Sequence, residues 1–144
     1  MKGRDVLFSC DRDDWGTPKW LFDSLNRVYE FTLDPCASND TAKCEKFYTK
    51  EQNGLTFGWE EHRVFMNPPY SNVSEWVEKA YVEAQRGAVV VCLLAARTDT
   101  KWFHEFCLKG HIEFIKGRLK FEGAKSSAPF PSMIVTFKPP MRRV

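Results

Sequence analysis

The 144-residue sequence lacks most of the features that are typical of metal-binding, secreted or membrane proteins. Its three histidines show no ligand spacing and its five cysteines include no CxxC pair, so we expect no metal site. No apolar run approaches the length of a membrane-spanning helix, and no hydrophobic signal segment follows Met1. The odd number of cysteines then favours free thiols in a cytoplasmic protein.

Charge of one sign is also scarce, since the net charge is +2 and the isoelectric point is about 8.3. A weakly basic chain is compatible with a nucleic-acid partner, although dedicated DNA-binding domains are usually more basic. Hydrophobic residues make up 43% and aromatic residues 15%, which suffices for a packed core with rings left for stacking. The length fits one compact domain, predicted at 15–139 between a flexible lead-in, 1–14, and a tail, 140–144.

Apolar periodicity predicts an alternation of helices and strands along the chain. Thr17 suits the N-cap of a first helix, with Pro18 at its first helical position. Ser74 suits the cap of a second helix, and either Thr98 or Asp99 suits that of a third. The predicted helices are 17–29, 74–87 and 98–110, and the predicted strands are 31–33, 46–48, 63–66, 88–96, 112–123 (two strands and a turn) and 132–138.

This order predicts an open α/β sheet with helices on both faces and a ligand site at the carboxyl ends of its strands. Three polar strand ends would meet along that edge, and they are Asp34-Pro35, Asn67-Pro68 and Ala95-Ala96-Arg97. A proline ends a strand cleanly, so either proline turn taken alone is also explained by structure. Two acid- or amide-proline turns on neighbouring strands favour a site.

The turn Asn67-Pro68-Pro69-Tyr70 has the groups that a planar amino nucleophile needs. The lone pair of an exocyclic amine is delocalised into its ring, and two acceptors on its hydrogens free that lone pair for attack. The Asn67 side-chain oxygen and the Pro68 carbonyl are two such acceptors, and Tyr70 offers a ring on which a flat base can stack. The sulfonium methyl of S-adenosylmethionine is the matching electrophile, and catalysis is mostly positioning.

Beyond that turn, the chain resembles the small phage-type DNA N-6-adenine methyltransferases, the Dam-like family. The resemblance runs from about Trp15 to Pro139, and the stretches that carry it are TPKWLFDSL, LDPCAS, NGL, VFMNPPYS, WVEKAYVEAQRGAVVVCLLAARTDTKWFH and GRLKFEGAKSSAPFPSMIV. It implies a Rossmann-like, S-adenosylmethionine-dependent sheet, mostly parallel with an antiparallel last strand. It also implies transfer of a methyl group to adenine in double-stranded DNA, in a phage or prophage setting that includes protection from restriction.

The resemblance assigns roles to particular residues. Asn67-Pro68-Pro69-Tyr70 matches the catalytic motif, and Asp34-Pro35-Cys36-Ala37 resembles the first cofactor motif, which meets the methionine part of S-adenosylmethionine. Thr17-Pro18 resembles the segment that helps to close that pocket. Asn53 stands where relatives often have aspartate before Gly-Leu, and it is the candidate partner of the cofactor adenine.

The chain departs from the family pattern in two places. Ser38-Asn39-Asp40 stands where the first cofactor motif usually continues into a glycine-rich turn. The family pattern includes an acidic residue that holds the cofactor ribose, and no position of this chain matches it. Glu45 and Glu51 are the two candidates for that role. The departures leave a second class of function open, a nucleic-acid or cofactor-binding module without turnover.

The segment GRLKFEGAKSSAPFPS is basic and aromatic, and it is the candidate DNA-facing loop. Arg118, Lys120, Lys125 and Arg97 are candidate phosphate contacts, and Phe130 is the candidate aromatic near a flipped base. A solvated hairpin followed by a flexible loop explains the same pattern. The arginines of the tail could add phosphate contacts.

The length leaves no room for a separate domain that reads DNA sequence. Three alternatives stay open: the loops 38–62 and 117–131 read it, a second subunit helps in a homodimer, or specificity is loose. The turn by itself also fits an amine of RNA, of cytosine or of a protein glutamine, and the other family stretches favour adenine in DNA.

Overall fold

The computed structural model describes residues 15–38 and 40–141. The predicted lead-in with Cys10, Asn39, and the tail arginines Arg142 and Arg143 lie outside the described residues. The helices are α1 (Lys19–Tyr29), α2 (Val73–Gln85) and α3 (Lys101–Glu105), and the strands are β1 (Arg63–Met66), β2 (Val89–Ala95), β3 (His111–Phe114) and β4 (Ser132–Phe137). No helix in the described ranges is both long and apolar enough to cross a bilayer.

The four strands form one mixed sheet in the order β1-β2-β4-β3. β1 and β2 run parallel, whereas β4 is antiparallel to both of its neighbours. The antiparallel last strand is therefore confirmed, and the other three strands, β1, β2 and β3, run in the same direction within this mixed sheet. The reason for the antiparallel β4 lies in the connection 115–131, which returns the chain from β3 to β4 without the helical crossover that a parallel pair needs.

Two predicted strands, 31–33 and 46–48, are reduced to single bridges outside the four strands. Leu33 pairs with Val64 and Asp34 pairs with Phe47, both in the parallel sense. The second strand predicted within 112–123 is also absent from the sheet, and a bridge joins Glu122 of that segment to Gly16. The parallel bridges still direct the segment at 33–34 along β1, so its end reaches the same edge as the ends of β1 and β2.

Helices cover both faces of the sheet, as the sequence predicts. Alternate side chains of each strand point to opposite faces. One core cluster joins α2 and α3 to Val64, Met66, Val90, Cys92 and Leu94. The other joins α1 and the connection 115–131 to Phe65, Val91, Leu93 and Ile134. The two clusters hold the strand ends between helices above and below.

The three predicted helix caps are wrong by one or two residues. The residues at the cap positions of α1, α2 and α3 are Pro18, Asn72 and Thr100, in place of Thr17, Ser74 and Thr98 or Asp99. Of these three, only Thr100 caps with its side chain, which accepts a hydrogen bond from Phe103 N at 3.2 Å. The spacing of apolar residues defines the start of a helix only to within one or two residues.

A buried carboxylate ties α2 to the loop that precedes β1. The Glu83 side chain is fully buried and accepts a hydrogen bond from Trp59 N at 2.7 Å. It also pairs with Lys79 at 2.9 Å and Arg86 at 3.4 Å. Removing one partner from a buried charge cluster leaves the others without compensation, which costs more than an exposed ion pair contributes.

We expect Glu83→Ala to lower the free energy of unfolding by about 3 kcal/mol, because the buried Trp59 N–H loses its acceptor and Lys79 loses its counter-ion. Glu83→Gln keeps an oxygen for Trp59 and should cost clearly less. Urea unfolding of the three proteins measures the difference. A Glu83→Ala midpoint equal to that of the wild type would show that the cluster is energetically neutral.

Candidate active site

The turn Asn67-Pro68-Pro69-Tyr70 follows β1 directly, at the edge where β2 also ends. Pro69 is extended, with φ −64° and ψ 149°, and Tyr70 begins a 3-10 turn that leads into α2. Neither proline has an amide hydrogen, so the ladder between β1 and β2 stops at Met66. The Pro68 carbonyl is thereby kept out of the sheet.

A cavity of about 390 Å³, here called the large cavity, lies between this turn and the end of β2. Asn67, Pro68, Tyr70, Arg97 and Phe130 line it, as the sequence predicted for a site at this edge. Ala95, from a predicted strand end, also lines it, as do Phe121 and Pro129 from the predicted DNA-facing loop. The lining residues that were not anticipated are Val73, Leu93, Leu94 and Trp102. A mainly apolar cavity with a few polar groups suits a flat, partly polar ligand such as a nucleobase.

Aromatic rings and one guanidinium form a wall of the large cavity. Tyr70 and Phe130 meet edge to face, with ring centroids 5.6 Å apart and an interplanar angle of 73°. Phe121 lies 6.2 Å from Phe130, and the Arg97 guanidinium carbon lies 5.8 Å from the Phe130 centroid. Arg97 is exposed, and its guanidinium lies at the edge of the large cavity in a cation–π contact with Phe130.

A second cavity, here called the small cavity, lies on the other side of Asn67 and has a volume of about 10 Å³. Thr17, Asp34 and Cys36 line it, three of the predicted cofactor residues. The other lining residues are Trp15, Gly16, Thr41, Lys43 and Phe65. Asn67 lines both cavities, so one side chain stands between the two predicted halves of the site.

Asp34 is the titratable group of the small cavity, and it is 4% exposed. Burial raises the pKa of its carboxyl to about 6, although hydrogen bonds from the Lys43 and Cys36 main-chain N–H groups act in the opposite direction. The Lys43 N–H donates to Asp34 Oδ2 at 3.0 Å. The Lys43 ammonium instead pairs with Glu122 at 3.0 Å, and no ion pair to Asp34 exists in the described part of the chain.

The remaining predicted cofactor residues lie around this strand end. Pro18, Pro35 and Ala37 are buried beside it. A Cβ added at Gly54 would stand 2.0 Å from the Pro35 carbonyl oxygen, so the turn at 53–55 packs directly on the first cofactor motif. That close approach requires glycine.

Asn53 has a structural contact that the sequence did not predict. It adopts a left-handed conformation, with φ 62°, and its Oδ1 accepts a hydrogen bond from Leu55 N at 3.2 Å. The side-chain oxygen therefore caps the 3-10 turn Gly54–Thr56. Its contact with a cofactor adenine stays a prediction.

The turn that replaces the glycine-rich segment is closed by side chains. Ser38 N donates to Thr41 Oγ1 at 3.0 Å, and Thr41 N donates to Ser38 Oγ at 3.1 Å. These reciprocal bonds join Ser38 to Thr41, which itself lines the small cavity. Glu45 and Glu51 are exposed and line neither cavity.

The predicted DNA-facing loop has an alternating pattern of burial. Arg118, Lys120 and Lys125 are exposed, whereas Leu119 and Phe121 are buried. The loop is held from inside, because Ala128 N donates to the carbonyl of residue 119 at 2.7 Å and Glu122 N donates to that of residue 16 at 2.8 Å. The basic side chains thus project from an anchored segment beside the large cavity.

Thiol and metal chemistry find no support in the described residues. Within the described residues, burial raises the pKa of the Cys44 and Cys107 thiols to about 12. Such thiols stay protonated and unreactive at neutral pH. No group of three His, Cys, Asp or Glu side chains suited to a metal ion occurs in the described ranges.

An α/β sheet that presents Asn-Pro-Pro-Tyr between an aromatic cavity and a buried carboxylate has the arrangement of an amino-directed methyltransferase. The sequence matches, over residues 6–143, the family described as DNA N-6-adenine-methyltransferase (Dam). The chain belongs to that family.

Two phage proteins are similar to this chain, and both bear the name DNA N-6-adenine-methyltransferase. The protein of Haemophilus phage HP1 (strain HP1c1) is 34% identical over 140 residues, which cover 90% of this chain and 80% of that protein. The protein of Escherichia phage T1 is 38% identical over 96 residues, which cover 65% of this chain and 40% of that protein. The likeness to the first therefore extends over most of both chains.

Proposed function

We propose that the chain transfers a methyl group from S-adenosylmethionine to the exocyclic amine of adenine in double-stranded DNA, at the turn Asn67-Pro68-Pro69-Tyr70. The observation that carries the proposal is the location of Asn67, which lines both the large and the small cavity. A residue in that location can hold the acceptor amine beside the methyl donor. Bringing two reactants together in line is the main contribution that this reaction needs.

On the large-cavity side, the residues orient the base. Asn67 Oδ1 and the Pro68 carbonyl accept hydrogen bonds from the two hydrogens of the amine. Tyr70 supplies the stacking face, and Phe130 and Phe121 complete the aromatic wall. Because Pro68 lies between Asn67 and a second proline, its carbonyl direction is fixed by two restricted backbone angles.

On the small-cavity side, the residues fit the amino-acid end of the cofactor. When bound, S-adenosylmethionine supplies a methyl group activated by a sulfonium sulfur. Asp34 is a buried carboxylate without an ion pair among the described residues, which suits it to receive an ammonium group. The small cavity has space for about one water, so Asp34 becomes accessible only when the segment 15–17 or 41–43 shifts.

We expect Asp34→Asn to be more stable than the wild type at pH 7 by about 2 to 3 kcal/mol, while losing about 10- to 100-fold in cofactor affinity. The folded-state pKa of about 6 lies above the ordinary 3.8, so the stability contributed by Asp34 is fully present below about pH 4 and is lost as the pH rises through 6. The stability difference should widen between these pH values. Thermal unfolding against pH and calorimetric titration with the cofactor measure both effects, and a less stable, tightly binding variant would contradict the assignment.

The DNA side of the proposal rests on flipping of the target base out of the duplex, since the large cavity admits no paired base. Arg97, Arg118, Lys120 and Lys125 would contact phosphates, with the loops 38–62 and 117–131 closest to the DNA. We assign the reaction to the cytoplasm of a bacterial host, where phage or prophage DNA would be protected from restriction. The two phage relatives support that setting.

The test is methyl transfer from radiolabelled S-adenosylmethionine to four acceptors in parallel: unmethylated duplex DNA, RNA, cytosine-only DNA and a glutamine-containing peptide. Nucleoside analysis of the product should place the label in N-6-methyladenine from DNA. Label in another acceptor would reassign the substrate. Cofactor binding without label in any acceptor would favour a binding module.

A further inference from the structure

The amide of Asn67 is held from the segment that precedes α1. Its Nδ2 donates to the Trp15 main-chain carbonyl at 2.8 Å and to Thr17 Oγ1 at 3.0 Å. A main-chain carbonyl can only accept a hydrogen bond, so the atom that faces it must be the amide nitrogen. The orientation of the Asn67 amide, which is often ambiguous, is therefore fixed by its partner.

Both amide hydrogens of Asn67 are used by these two acceptors. Oδ1 is bonded to no donor in the described part of the chain, and it is the atom that the reacting amine needs. Thr17 is 2% exposed and contributes no helix cap, so its hydroxyl has this one hydrogen bond among those described. We propose that Thr17 is a positioning residue, which together with the Trp15 carbonyl turns Asn67 Oδ1 towards the base; this rests on the acceptor role proposed above for Asn67.

The segment that holds Asn67 is itself anchored. The bridge between Gly16 and Glu122 fixes the main chain between Trp15 and Thr17, and a Cβ at Gly16 would stand 2.8 Å from Glu122 Oε1. Pro18, directly before α1, then restricts the backbone of Thr17. Two hydrogen bonds from an anchored segment hold the amide more firmly than one bond from a mobile loop, since less conformational freedom remains in the free enzyme.

The same geometry selects asparagine over aspartate at position 67. A carboxylate there would set an oxygen 2.8 Å from the Trp15 carbonyl, and two acceptors repel at that distance. A protonated carboxyl would instead donate to Trp15 and keep its other oxygen for the amine. The charged and titratable groups that border this position are Asp34, Cys36 and Lys43 on the small cavity and Arg97 and Tyr70 on the large one.

The first experiment compares Thr17→Val, Thr17→Ser and Thr136→Val. Valine keeps the shape of threonine and removes the hydroxyl, so Thr17→Val should lower kcat about 30-fold with cofactor Kd changed less than about threefold. Serine restores the hydroxyl and should recover most of that loss. Thr136 is also buried but lies near the far end of β4, so Thr136→Val controls for the loss of a threonine hydroxyl in the core.

The outcomes separate the inference from the function on which it rests. A Thr17→Val enzyme with unchanged kcat and weakened cofactor binding would make Thr17 a cofactor residue and overturn the inference. Equal losses in Thr17→Val and Thr17→Ser would do the same, because the hydroxyl would then be irrelevant. Melting temperatures identify a folding defect, and full turnover by Asn67→Ala would instead refute the proposed function itself.

A second measurement uses Asn67→Asp at saturating cofactor. Its kcat relative to that of the wild type should rise as the pH falls from 8 to 6, because protonation restores a donor towards Trp15. Repeating the comparison in an Asp34→Asn background separates this effect from the titration of Asp34, whose pKa a second carboxylate nearby would raise. A ratio that is constant or falls with decreasing pH would show that the Trp15 carbonyl does not select the amide.

Discussion

Asn67→Ala is expected to lower the rate of methyl transfer to DNA by about 10³-fold, the loss typical of removing a preorganised group at the reacting atom. Alanine removes the oxygen that accepts a hydrogen of the amine, and it leaves the Trp15 main-chain carbonyl and the Thr17 hydroxyl without the amide that donates to them. Radiolabel transfer to duplex DNA under single-turnover conditions measures the chemical step. Cofactor affinity should stay within about threefold, since Asp34 and its main-chain partners are untouched.

Asn72→Ala is the matched control for this substitution. Asn72 lies five residues further along the chain, lines neither cavity, and donates to the exposed carboxylate of Glu75 at 3.2 Å. Its removal should leave the transfer rate within about twofold, because a surface contact of this kind contributes little. Comparable losses in both variants would attribute the effect to the fold of the turn, and a fully active Asn67→Ala would exclude Asn67 from the chemistry.

Gly54→Ala is expected to lower the free energy of unfolding by about 3 kcal/mol and to abolish cofactor binding. The added methyl would stand 2.0 Å from the Pro35 carbonyl oxygen and 3.0 Å from its carbon, and both are main-chain atoms. Relief requires the first cofactor motif and the turn at 53–55 to separate. Trp59 Nε1 donates to the Gly54 carbonyl at 3.1 Å, so that movement also strains a buried hydrogen bond.

Gly58→Ala provides the comparison within the same loop. Its Cβ would also meet a close neighbour, at 2.3 Å, but that neighbour is the Glu60 carboxylate at the end of a flexible side chain. A rotamer change relieves the contact, so stability should change by less than about 1 kcal/mol. Urea unfolding and cofactor titration of both variants test the contrast, and equal behaviour would mean that the packing of Gly54 on Pro35 is not required.

The local sequence was sufficient to predict α1, α2 and β2 and the residues that follow the strands at the site. Apolar periodicity predicted α1 and α2, and the continuous run at 88–96 predicted β2, because these signals depend on neighbours within two turns of a helix or a few residues of a strand. Proline ends strands without regard to distant contacts, so the turns after Asp34 and Asn67 were predictable. The large cavity brings Asn67 and Arg97 together, and the small cavity brings Asp34 and Asn67 together.

The sequence was not sufficient to predict contacts between residues that are far apart along the chain. The direction of β4 depends on how the connection 115–131 packs, and periodicity is the same for parallel and antiparallel strands. Trp102 and Phe121 line the large cavity because α3 and the connection 115–131 pack against the sheet. Asn53 looked like a ligand in sequence, whereas its side chain also closes its own turn.

Thr17 illustrates the difference between what the local sequence predicts and what the folded structure determines. Its sequence context predicts a helix cap, because threonine before proline has the local chemistry of one. In the folded chain the same hydroxyl meets Asn67, fifty residues away, and α1 begins without a side-chain cap. The sequence by itself determined which groups are available for the chemistry: an amide, a carbonyl between prolines, an aromatic ring and a carboxylate at strand ends. Only the tertiary structure decided which way the amide faces, because hydrogen bonds between distant segments depend on packing that no local pattern records.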